Sequence, residues 1–248
     1  IIQNGRYYTD ESKYTIAVNA YGYVTDGLQL LLDGIDNTGA GTHSNNTTTW
    51  TDLSDNQRNG ILTNINIENA WKDSGLQLDG IDDYVLIAEM NYDNFTLEVV
   101  NFIQENNGTN MHIISNIQAG GYDITQSTTN RFGCAVYIKE NVAYISVPST
   151  KQASKEVNKR YSVSGSYDGE MIKLRTSGLS SYNEIATTGT IGHTIDNTCM
   201  VLGANPKGTQ AESQYFNGEI NSVRIYNRAL SDEEKAINYL NDMQRYGV

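Results

Sequence analysis

The chain has 248 residues, enough for one large domain, and its 38% hydrophobic content can bury a core, which excludes a disordered polymer. A formal net charge of −12 with no block of Lys or Arg argues against nucleic acid or an anionic membrane as partner. Two cysteines exclude a disulfide-dense scaffold, and no run approaches the roughly 18 apolar residues of a membrane helix, so no membrane insertion is expected.

Polar residues are mostly Asn, Thr, Ser, Gly and Tyr, the mixture of strands joined by many turns. Residues 1–25 differ from the rest. The run 13–24 alternates and ends in Tyr21-Gly22-Tyr23. It reads as a connector or last strand of a preceding surface module, or equally as an extra edge strand of the main domain. The start at Ile1 rather than Met, with no signal-peptide pattern, gives the expectation of a processed or partial piece of something longer. The main domain is expected over 26–248.

That domain opens with the apolar strand 28–32. The segment from Asp33 to Asp52 follows, a long polar loop of a length that is usually functional or mobile. Trp50-Thr-Asp-Leu-Ser-Asp-Asn-Gln-Arg-Asn-Gly60 and Leu76-Gln-Leu-Asp-Gly-Ile-Asp-Asp-Tyr-Val85 come next. Leu32-Asp-Gly-Ile-Asp36 and Leu78-Asp-Gly-Ile-Asp82 echo each other, each fitting a strand that runs into a tight turn. Beyond residue 84 strand signals recur every 8–15 residues. The clearest is the alternating run 161–167, expected to point Tyr161, Val163 and Tyr167 to one face and Arg160, Ser162 and Ser164 to the other. Asp168-Gly169 joins it to 171–175 as a hairpin, with positive φ expected at Gly169 and, for a type I′ turn, at Asp168. Cys134 and Cys199 sit in apolar runs and read either as two small buried residues or as a disulfide. Finally Gly218 opens an apolar run through Ile220, Val223 and Ile225, and Ser231 with Glu234 forms a capping box that starts a helix.

About a dozen short strands and one terminal helix predict an all-β, two-sheet antiparallel sandwich. The segments at 50–60, 76–85, 167–169 and 216–239 resemble, in order, those of laminin-G-like, concanavalin A-like jelly-roll domains. This resemblance implies a jelly-roll sandwich with a short C-terminal helix. It also implies surface adhesion or receptor binding, as such domains serve in bacterial surface proteins and phage tail or virion proteins, with a glycan as the expected partner and an extracellular location. Two other roles remain open: a structural domain that decorates a virion or surface assembly against neighbouring subunits, and a carbohydrate-active enzyme.

Glycoside hydrolysis needs two carboxylates about 5–5.5 Å apart for retention or about 6.5–9.5 Å for inversion. The Glu-x-Asp-x-Glu strand pattern of glucanases with this architecture does not occur, His43, His112 and His193 are isolated, and no catalytic residue is assigned. No cofactor is required. The resemblance allows a single structural calcium, with Asp33, Asp36, Asp79, Asp82 and Asp83 as candidate ligands, although turn chemistry explains the same aspartates. The stretch 202–207, where pentraxins carry acidic ligands, has none here. For a partner, the loops 36–49 and 118–131 are the least needed for the fold. Tyr122 and Asp123 are the leading ligand-binding candidates, one a stacking face and the other a hydroxyl acceptor, with Tyr182 and Tyr215 as further exposed aromatics. Trp50 and Trp71 read as core anchors.

Overall fold

The computed structural model describes residues 2–3, 6–8, 15–104, 108–117, 120–129, 131–141, 143–148, 156–177, 182–193, 198–207 and 210–248. They form two antiparallel sheets packed face to face, as the alternation predicts.

In the first sheet the order runs Asn183–Ala186, Met171–Thr176, Lys159–Tyr167, Phe95–Ile103, Asn217–Tyr226, Gly75–Asp79 and Trp71–Lys72, with Leu28–Asp33 also pairing to Asn217–Tyr226. The second runs Ala143–Pro148, Phe132–Ile138, Tyr122–Gln126, Met111–Ser115, Cys199–Leu202, Tyr84–Glu89, Gly60–Thr63 and Thr49–Trp50. One core fills the space between them, drawing Phe95, Leu97, Val99, Tyr161, Val163 and Tyr167 from the first sheet and Tyr122, Ile124, Cys134 and Val136 from the second. Trp50 and Trp71 meet edge to face at 5.2 Å in this core, the anchor role expected of them. Among the described residues no helix is long and apolar enough to cross a membrane.

The strand Lys159–Tyr167 faces as expected. Tyr161, Val163 and Tyr167 enter the core, while Arg160, Ser162 and Ser166 bond to the C-terminal helix Asp232–Tyr246 on the outer face. Its turn differs from a two-residue hairpin. Gly169 has φ +95°, but Asp168 is not among the residues of positive φ, and Tyr167 pairs with Ile172 to leave four residues between. The Asp168 carboxylate closes the turn by accepting from the N–H groups of Glu170 and Met171 at 3.0 and 2.8 Å.

Cys134 and Cys199 are free. They lie in one sheet three strands apart, about 14 Å at the usual inter-strand spacing, beyond the reach of a disulfide. Cys134 is in the core and Cys199 is half-buried.

The capping box forms as written in the sequence: Ser231 Oγ accepts from Glu234 N at 3.2 Å, and the Glu234 carboxylate accepts from Ser231 N at 2.8 Å. The helix lays its polar residues inward. Asp242 accepts from Arg224 Nη1 and Nη2 at 2.8 and 2.7 Å, and Arg224 Nε donates to Glu98 at 2.9 Å. Asn238 donates to Glu98 at 2.7 Å, and Lys235 to Ser166 at 2.8 Å. Burial alone would push the Glu98 carboxyl up and the Lys235 ammonium down.

The strands Ile2–Gln3, Arg6–Tyr8 and Thr15–Ala17 form a small separate sheet. The following turn packs on the helix. Tyr23 Oη donates to Asp242 at 3.0 Å, Val24 N donates to Asn238 at 3.0 Å, and Val18 and Val24 join Tyr226, Leu230 and Ile237 in a second apolar cluster.

Candidate functional site

The polar loop after Leu28–Asp33 is wound around three of its own side chains. Asp33 Oδ1 accepts from the N–H groups of Ile35 and Asp36 at 2.8 and 3.2 Å. The Asp36 carboxylate accepts from Gly39 N, Gly41 N and Thr42 N at 2.8, 2.9 and 3.3 Å. Asn37 spans the loop, taking Ser44 N and giving to Ser44 O, both at 2.8 Å. Asp and Asn do this because their short side chains reach backbone N–H groups a few residues on. His43 lies edge-on to Trp71 at 5.8 Å and closes the far side.

Two more segments complete the place. In the 19–23 turn Asn19 Oδ1 accepts from Tyr21 N and Tyr23 N, each at 3.0 Å, and Gly22 takes φ +85°. Tyr21 Oη then donates to Asp36 at 2.8 Å, tying turn to loop. From the last turns of the helix, Asn241 donates to Tyr21 O and Arg245 pairs with Asp33. The guanidinium lies 5.7 Å from the Tyr21 ring.

Between turn and helix opens a cleft of about 480 Å³, lined by Val18, Asn19, Tyr21, Asn241, Gln244 and Arg245 among others. Pockets that hold small ligands have about this size. Behind its wall Asn19 Nδ2 and Arg245 Nε are buried without a hydrogen-bond partner, so neither is presented to the cleft. Burial and the bond to Asp36 push the Tyr21 hydroxyl up to about 12. Burial would raise Asp36, but the Tyr21 hydroxyl and the N–H groups of Gly41, Gly39 and Thr42 outweigh it and hold the carboxyl below the ordinary range.

The leading sequence candidates lie elsewhere and have other work. Tyr122 is wholly buried, stacked on Phe95 at 4.1 Å, with its hydroxyl given to Met90 O at 2.7 Å. It has no face left for a ligand. Asp123 is 3% exposed and sits 3.1 Å from His112 Nδ1. The correction has a simple cause: Gly121 makes the turn at φ +76°, and Tyr122–Gln126 is already a strand whose alternation sends Tyr122 and Ile124 inward. Residues 118, 119 and 130 of that expected loop fall outside the described residues. Tyr182 is half-buried, with Lys235 Nζ 5.1 Å from its ring centre, and Tyr215 packs against the cluster of Tyr84, Val201 and Ala204.

Of the calcium candidates, Asp33 and Asp36 are consumed by the loop and by Arg245. Asp79, Asp82 and Asp83 do converge, with one carboxylate oxygen from each lying within 4.8 Å of the other two. Turn chemistry uses part of them: Asp79 Oδ1 accepts from Ile81 N at 2.8 Å, and Asp83 Oδ2 from Asp79 N at 3.0 Å. Burial, with the Asp79 charge beside it, raises the Asp83 carboxyl to about 6. Three carboxylates are a donor set that suits a hard divalent cation such as calcium.

A family model described as the concanavalin A-like lectin/glucanases superfamily matches residues 79–234. No curated protein matches in sequence. Among solved structures, a Trypanosoma rangeli sialidase in complex with sialic acid is similar at TM-score 0.61 and 18% identity, over 95% of this chain and 36% of that one. The receptor binding domain of botulinum neurotoxin mosaic serotype C/D is similar at TM-score 0.63 and 16% identity, over 89% and 52%. The CBM40 of Ruminococcus gnavus IT-sialidase, bound to α2,3 sialyllactose, is similar at TM-score 0.52 and 12% identity, over 67% and 95%. The chain thus spans about a third of the sialidase and half of the toxin domain. At these identities the likeness shows the fold alone.

Proposed function

Because the chain belongs to the concanavalin A-like lectin/glucanases superfamily, we propose that it is a non-catalytic binding module whose ligand is a glycan on a receptor or host surface. The observation that carries this reading is the cleft beside Tyr21. It offers an aromatic ring and the amide groups of Asn241 and Gln244, which both donate and accept, in a space of about 480 Å³. Sugar hydroxyls are donors and acceptors on an apolar ring, and amides with an aromatic side chain match both. Similar folds bind such ligands: the CBM40 structure holds sialyllactose, and the toxin structure is a receptor binding domain.

Non-catalysis is supported by the fate of the buried carboxylates. Glu98 and Asp242 are bridged by Arg224 beneath the helix, where no substrate reaches. An extracellular setting, on a bacterial surface or a virion, is part of the same proposal. The test is a glycan array on the 248-residue chain, with Ala20→Trp as the blocking variant. Ala20 lines the cleft and is exposed, so the indole fills the space without entering the core. Array hits that disappear in Ala20→Trp at unchanged melting temperature support the reading. A chain that binds no glycan, or binds equally well with the cleft filled, refutes it.

A further inference from the structure

We infer that the cleft selects uncharged glycans and disfavours acidic ones, an inference that rests on the proposal that the cleft binds glycan. A protein that captures a carboxylate or sulfate presents a cation free to pair with it, usually a bidentate Arg. Here the cation lining the cleft, Arg245, is already committed. Its Nη2 pairs with Asp33, which is wholly buried at the end of its strand, and its guanidinium rests by the Tyr21 ring.

An acidic ligand would have to share Arg245 with the buried Asp33 carboxylate, which already neutralises its charge, and so would meet no net positive charge there. Asp36 adds a second negative charge behind the wall, held ionised by Tyr21 and three backbone N–H groups. The count for the cleft is therefore one cation against two carboxylates, within a chain of net charge −12. What remains for a ligand is neutral: the amides of Asn241 and Gln244 and the Tyr21 ring. Amides pair well with hydroxyls, acetamido groups and ring oxygens, and supply no charge for an anion. The solved relatives include one in complex with sialic acid and one bound to sialyllactose, so this chain is inferred to differ from them in ligand charge.

The test presents matched glycans to the full chain, each uncapped and capped with sialic acid or sulfate, at low and physiological salt. Binding should favour the uncapped member by at least about tenfold. Its affinity should be nearly independent of salt, since a neutral ligand has no charge to screen. Gln244→Lys, which adds an unpaired cation at an exposed position of the cleft, should narrow or reverse the preference. Preferential binding of acidic glycans that Ala20→Trp abolishes would overturn the charge assignment and leave the glycan-binding proposal standing. Absence of binding to either member would overturn both.

Discussion

Single residues in this chain are shifted or strained by causes that can be named, which makes their behaviour predictable. Asp83 is the clearest. Burial, and then the Asp79 charge, raise its folded-state pKa from 3.8 to about 6, so the folded protein holds that proton more tightly than the unfolded chain. The stabilising contribution is full below pH 3.8 and is lost as the pH rises through about 6. Melting temperature should therefore rise on going from pH 7 to pH 5 more in the parent than in Asp83→Asn, whose amide oxygen can still accept from Asp79 N. Equal pH profiles would contradict the shift. A cation between the three carboxylates would remove the same repulsion, so calcium added to chelated protein at pH 7 should raise the melting temperature of the parent and not of the variant. At Gly169 the cause is conformational. A Cβ would meet only Asn94 Oδ1 at 3.5 Å, ordinary contact, but φ is +95°. Gly169→Val should cost on the order of 1–2 kcal/mol by urea denaturation, and an unchanged midpoint would refute the strain argument.

Among elements, the C-terminal helix separates what sequence reasoning reaches from what it misses. Its start was legible because capping is local: Ser231 and Glu234 find each other within one turn. Its docking was not. Lys235, Asn238 and Asp242 recur at helical spacing, yet charged residues on a helix ordinarily face water, and only the tertiary partners Glu98, Arg224 and Ser166 reveal that this face is the buried one. Asp242→Ala leaves the Arg224 guanidinium buried without its bidentate partner and should destabilise by about 3–5 kcal/mol. Replacing Glu98, Arg224 and Asp242 together with Gln, Met and Leu should cost less than that single change. Denaturation midpoints ordered the other way would show that the charges themselves stabilise the docked helix.

Across the whole molecule, the sandwich could be read from the sequence because strand alternation repeats in every segment, as 161–167 shows, and its errors are equally physical. The loop expected over 118–131 contains a strand: positive φ at Gly120 and Gly121 makes the turn, and Tyr122–Gln126 follows at once. The cleft was invisible for the opposite reason. Its walls lie about 220 residues apart, in the 18–22 turn and the end of the helix, and no local pattern joins them. The loop 36–49, expected to be among the least needed for the fold, is wound around Asp36 and Asn37, and Asp36 reaches the cleft through Tyr21. Residues 15–24 carry a further consequence for stability. Because Tyr23 and Val24 bond to Asp242 and Asn238, a chain beginning at residue 26 should melt several degrees lower, at about 2–4 °C per kcal/mol for a chain of this size. An unchanged melting temperature would mark that segment as a separable connector.

The bonds from Tyr23 and Val24 to the helix also decide how the domain would carry a pull. Tension applied between the N-terminal segment and a ligand held in the cleft would load the bonds from the 18–24 turn to Asn238, Asn241 and Asp242 first. The same chain runs on into Leu28–Asp33, which is paired with Asn217–Tyr226, so the turn acts as a bracket in front of that strand. A few side-chain contacts to one helix are then expected to yield before the ladder behind them.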